Sequence, residues 1–249
     1  MTDGKVFLQI PIQLIKGLMM SPPKRVAAIN DIISYAVFEI FVKFGGTMEK
    51  TLPKVYDFLG ITNEGGIKGM IKSCQQGADV AAKIRTKSYF FIDKSKLFKL
   101  RDNAYSNDLY VAMTMFFALG SIQGKQSYWK STNLFMLSRM DGRDKTISSA
   151  DRLSAPVKKI NTRRKLDKFK GMLEEHFGVS FWGYRMRGFY FSTKLSKEEL
   201  IKKVSEPPQK HKRQEKKYKS SDKETLKKMV ENNVLQVPNY EAVRKKTCN

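Results

Sequence analysis

The chain has 249 residues, 41% of them hydrophobic and 11% aromatic, enough to bury a core in one large domain or two small ones and too apolar for wholesale disorder. Lysine and arginine total 47 against 24 acidic residues, and the resulting +23 exceeds what solubility requires, so a polyanion is the first partner to consider. No apolar run reaches the ~20 residues that span a bilayer, the start MTDGKVFLQIPIQLI lacks the basic region and small-residue cleavage site of a signal peptide, and Cys74 and Cys248 cannot make a disulfide framework or a zinc finger.

These features point to a protein of the reducing cytoplasm with no membrane partner and no metal. KVFLQIPIQLI alternates and reads as an N-terminal strand interrupted at Pro11. Ser21 followed by Pro22 and Pro23 starts a helix, and Val26, Ile29, Ile33, Val37, Ile40, Phe41 and Phe44 keep its spacing until Gly45 and Gly46. A shorter helix places Leu52, Val55, Tyr56 and Leu59 on one face and stops at Gly60. A third, NEGGIKGMIKSCQQGADVAAKI, is weakened by Gly65, Gly66, Gly69 and Gly77. SYFFIDKSKLFKLRD then reads as two short strands about a Lys-Ser turn.

From Ser106 the order repeats. NDLYVAMTMFFALGSIQG is a strongly apolar helix, KSTNLFMLSRMDG a short one, and NTRRKLDKFKGMLEEHFG a third with Leu166, Phe169, Met172, Leu173 and Phe177 on one face. Gly178 ends it and introduces the hairpin SFWGYRMRGFYFST. Beyond Pro207 the chain turns charged and polar, and 205–249 reads as a basic, mostly flexible tail with one short helix, TLKKMVENN.

Three helices followed by a hairpin is the plan of a winged helix, a relative of the helix-turn-helix. The expected fold is therefore α+β and mainly helical: one winged-helix-like domain over 1–104, a second that binds DNA over 105–204, and the tail. The repeat is one of arrangement without residue identity, and another α+β domain would show the same order.

Chemistry concentrates in the second half. Arg163, Arg164, Lys165, Lys168 and Lys170 crowd the third helix, and Arg164, Lys165 and Lys168 with Asn161 are expected to face away from the Leu166, Phe169 and Leu173 stripe. Asn161, Thr162, Arg163 and Arg164 stand at the helix start, where arginine suits guanine and asparagine adenine in the major groove. Lys158 and Lys159 just upstream suit phosphates. In the hairpin, alternate aromatics are assigned to packing, and Arg185 and Arg187 near the tip to DNA. The first half offers Lys68, Lys72 and Lys83 on its third helix and Lys94, Lys96, Lys99 and Arg101 on its expected wing, which suits a sequence-indifferent contact or a protein surface.

Catalysis has little support. The two histidines, His176 and His211, cannot make a histidine metal motif, no phosphate loop is present, Cys74 has no obvious base, and the best carboxylate pair, Asp141 and Asp144 in RMDGRDKT, is more simply a turn. The expectation is a nonenzymatic protein without cofactor.

The 106–121 helix, SYWKSTNLFMLSRMDG, NTRRKLDKFKGMLEEHFG and the terminal hairpin, with a looser parallel over 22–101, resemble replication-initiator proteins of theta-replicating plasmids. The resemblance is in element order, over about four fifths of the chain. It implies an N-terminal unit for self-association and auxiliary contact, a C-terminal unit that reads repeated origin sites on double-stranded DNA, and a plasmid or phage setting. A transcriptional regulator and a structural RNA-binding protein stand as alternatives, the second because of the tail and the exposed aromatics.

Overall fold

The computed structural model describes residues 7–61, 65–102, 104–183 and 188–206. The chain divides at Lys203 into two units, and the elements below belong to the first except where the last helix runs to its end. The expected tail lies outside the described residues from 207 onward.

Strand β1 (Phe7–Pro11) turns Leu8 and Ile10 inward and ends at its proline. The expected strand goes no further: Ile12–Met19 form a 3-10 helix, in which Ile12, Ile15 and Leu18, three apart, fall on one buried line because that helix has three residues per turn. Helix α1 (Pro22–Phe44) begins with Pro22 in its first turn and buries Ile29, Ile32, Ile33, Val37 and Ile40. Helix α2 (Met48–Leu59) buries the expected Leu52, Val55, Tyr56 and Leu59, and Gly60 closes it in the left-handed conformation.

Helix α3 (Gly66–Lys83) shows what one of its glycines is for. A Cβ on Gly77 would stand 2.1 Å from the carbonyl oxygen of Ser34, so α3 lies on α1 backbone to backbone, with Ser34 Oγ and Ser73 Oγ 3.2 Å apart beside it. Helix propensity is given up there for close packing.

Strand β2 (Tyr89–Asp93) pairs antiparallel with β1, Leu8 opposite Ile92 and Ile10 opposite Phe90. The expected hairpin over 88–102 is not formed: KSKLFKLRD becomes helix α4 (Lys94–Asp102), burying Leu97 and Leu100. Those leucines stand three apart and their neighbours are good helix formers, so the helical solution buries both on one side where alternation would split them. The first half therefore carries no wing over 88–102.

Helix α5 (Asn107–Gln123) is capped by Ser106, whose hydroxyl accepts from the Leu109 amide at 3.2 Å, and is buried nearly all round. Strand β3 (Trp129–Ser131) follows, then α6 (Asn133–Met140), capped by Thr132. A 3-10 turn (Ala150–Arg152) and α7 (Ala155–Lys158) lead to α8 (Arg163–Phe177). Strands β4 (Ser180–Trp182) and β5 (Phe189–Ser192) and helix α9 (Lys197–Ser205) complete the order. The three-stranded sheet runs β3-β5-β4, all antiparallel.

The fold is α+β and mainly helical. The core passes across residue 104 without a break: the Phe90 ring of β2 stacks on Phe117 of α5 at 4.4 Å. Buried Arg25 of α1 donates to the carbonyls of Leu18 and Met20 and to Asn107 Oδ1 at 2.8–3.0 Å, its guanidinium 4.1 Å over the Tyr110 ring.

The turn RMDGRDKT makes a second polar joint between early and late chain. Asp141, its side chain fully buried, pairs with Lys16 and Arg143 at 3.0 Å each and accepts from the Ser154 amide. Asp144 accepts from the amides of Lys87 and Ser88, with Arg139 at 3.5 Å. Gly142 holds φ +77°, and a Cβ there would stand 3.0 Å from the Cα of Gln13. Burial pushes the Asp141 carboxyl up, but the bonds from Ser154, Lys16 and Arg143 outweigh it and hold the group below the ordinary carboxylate range. Its stabilisation is thus present above the unfolded carboxylate range and fades as pH falls through the lower folded value. Urea unfolding of Asp141→Asn at pH 7 should show a loss of about 3 kcal/mol, and the gap to wild type should narrow as pH falls below about 4.

Candidate nucleic-acid interface

Helix α8 divides cleanly. Leu166, Phe169 and Leu173 are buried, while Arg163, Arg164, Lys165 and Lys168 are exposed. The amphipathic period that buries three apolar residues four or three apart turns these four cations to solvent. Thr162 occupies the cap position without a side-chain cap bond, leaving amides at the helix start to meet an acceptor.

The expected residues fall into three groups. Arg163, Arg164 and Lys165 with exposed Lys158, Lys159 and Thr162 and half-buried Asn161 gather around the first turn of α8. Lys165 Nζ donates back to the Lys159 carbonyl at 2.8 Å, bracing the connector against the helix. Arg163 is 95% exposed and lies 3.8 Å from Asp167, and Lys158 lies 3.7 Å from Asp151; surface pairs of this kind are worth little and yield to a phosphate. Lys168 is engaged differently, pairing with Asp108 of α5 at 2.5 Å, which draws it toward the body of the protein. Arg185 and Arg187 lie outside the described residues.

Lys170 departs from the expected crowd of surface cations. It is buried, its Nζ 3.1 Å from Asn133 Oδ1 and 4.0 Å from the centre of the Phe189 ring. Burial, opposed by nearby Asp167, brings its pKa down to about 8. It fixes α8 to α6 and to the sheet. Lys68, Lys72 and Lys83 stand exposed on α3 as expected, but the cations of the expected wing are placed otherwise: Lys94 donates to the Phe58 carbonyl at 2.9 Å, and Arg101 bonds Asp102, both on α4.

Periodicity alone could not have found β3, three residues long. It places Lys130 opposite Tyr190, which is opposite Trp182, so the three form one row across the outer face of the sheet. Lys130 Nζ stands 5.6 Å from the Tyr190 ring centre, Tyr128 lies 6.3 Å from Tyr190, and Trp182 is 40% exposed. Phe181, Phe189 and Phe191 fill the inner face and are buried. The signal for the row was the alternation in SYWKST, in which Tyr128 and Lys130 share one side.

Asp141 and Asp144 are committed to the joint described above. Among the described residues no helix is long and apolar enough to cross a membrane. Lys170 gives a pH signature. Between pH 8 and 10.5 the unfolded chain holds a proton that the folded state has released, so stability should rise across that window relative to Lys170→Met, read by urea midpoints. A flat difference would place the Lys170 amine in solvent. Protein-family models, curated proteins and solved structures offer no match to the chain.

Proposed function

We propose that the protein is a nonenzymatic double-stranded DNA-binding protein that acts in replication initiation of a plasmid or phage, with the first turn of α8 entering the major groove. The observation that carries the reading is the exposed cluster of Arg163, Arg164 and Lys165, with Lys158 and Lys159 before it, on a helix whose other face is core. The order helix, strand, helix, helix, hairpin over α5, β3, α6, α8 and β4–β5, with β5 between β3 and β4, supports a winged-helix arrangement for this part of the chain. Lys158, Lys159 and Lys168 would contact phosphates, Asn161, Thr162, Arg163 and Arg164 base edges, and Arg185 and Arg187 the flanking duplex.

Self-association through the first half belongs to the same proposal. Phe7, Phe44 and Phe58 are exposed together at the edge of β1, with Phe44 and Phe58 in edge contact at 5.8 Å. A second reading, binding of unpaired RNA, is favoured by the Lys130, Tyr190 and Trp182 row, since every base offers a π face for stacking.

In fluorescence anisotropy, Arg163→Ala/Arg164→Ala should weaken duplex binding about tenfold or more at moderate salt and lower the slope of log affinity against log salt by up to about 2. Unchanged affinity removes α8 from the interface. Trp182→Ala/Tyr190→Ala should leave duplex binding intact; a large loss confined to single-stranded RNA favours the second reading.

A further inference from the structure

A groove of about 330 Å³ opens between α4, α5 and the last turn of α8, away from the first turn of α8. Its size is at the lower end for sites that take small molecules. The floor is a stripe of α5, Leu109, Met113 and Phe117, at helical spacing. Leu100 of α4 lines one side, and Phe177 of α8, stacked on Phe116 at 5.0 Å, lines the other.

The mouth is of opposite character. Lys96, Lys99 and His176 are exposed around it, and among the described lining residues none is a carboxylate. Of the carboxylates on these elements, Asp102 pairs with Arg101, Asp108 with Lys168, Asp167 with Arg163, and Glu175 with His176 at 3.8 Å. Lys96 Nζ stands 6.0 Å from the centre of the Phe116 ring, so its charge sits directly over the apolar wall.

An apolar slot under a cationic mouth selects a ligand with an apolar body and one anionic head. A DNA backbone has the charge without the body. We propose that this groove binds a small amphipathic anion, an aliphatic or aromatic carboxylate, with its body on Leu109, Met113 and Phe117 and its carboxylate at Lys96 and Lys99. The proposal is independent of the DNA-binding reading.

The test is calorimetric titration of the full chain with decanoate, below its micelle concentration, and with decanol, which has the same body without the charge. The expected result is one saturable decanoate site per chain, with decanol at least about tenfold weaker and Lys96→Glu/Lys99→Glu weakening decanoate at least about tenfold. Both lysines are exposed, so that variant should fold, as its thermal unfolding would verify. Leu109→Trp, filling the slot from a half-buried position, should abolish binding. Absence of saturable binding, equal affinity for decanol, or full affinity in the folded charge-reversed variant would overturn the proposal.

Discussion

A fully buried carboxylate in a chain of net charge +23 is the constraint on which this architecture turns. Asp141 brings Lys16 from the 3-10 helix and Arg143 from its own turn to one point, and removal from water makes the joint directional: the charge is tolerated only where both partners and the Ser154 amide reach it. Asp144 repeats the device on the amides of Lys87 and Ser88, and Gly142 between them lets the turn lie against Gln13 with no side chain intervening. Arg25 works from the other direction, gathering the end of the 3-10 helix and the start of α5. Polar joints of this kind fix register in a way that interchangeable leucines cannot.

With early and late chain locked, α5 becomes the central helix, buried on nearly every side, and α8 is set upon it. Phe116 and Phe177 stack across the two, Lys168 reaches Asp108, and buried Lys170 ties α8 to Asn133 and to the Phe189 ring. The helix is thereby held along its length, while its first turn stays exposed with its cations outward. A charged surface on a rigid support meets a polyanion at less conformational cost than the same charges on a loop.

The helical core was largely legible in the sequence because its signal is periodic: α1, α2 and α8 bury most of the residues that the 3.6-residue repeat selects, with Val26 and Phe44 of α1 left exposed, and Gly45, Gly60 and Gly178 stop them as glycines do. Some short elements were not legible. In KSKLFKLRD the leucine spacing decides between strand and helix, and strand β2 found its partner some 80 residues earlier, in β1, a pairing no local pattern announces. Strand β3, at three residues, is shorter than any repeat. Among the candidate cations, exposure followed the helix phase for Arg164, Lys165 and Lys168 but not for Lys170, which is buried with its amine over the Phe189 ring and at Asn133. Asp141 and Asp144 read locally as a turn, and their partners Lys16, Lys87 and Ser88 are too distant in sequence for the joint to be seen.

The first turn of α8 is proposed to read duplex DNA. Selection of bound sequences from a random duplex pool with the full chain tests it most directly. Recovery of one enriched site, repeated or palindromic, is the predicted result; a bound pool with no enrichment would contradict sequence reading and reduce the cationic surface to a nonspecific grip on nucleic acid.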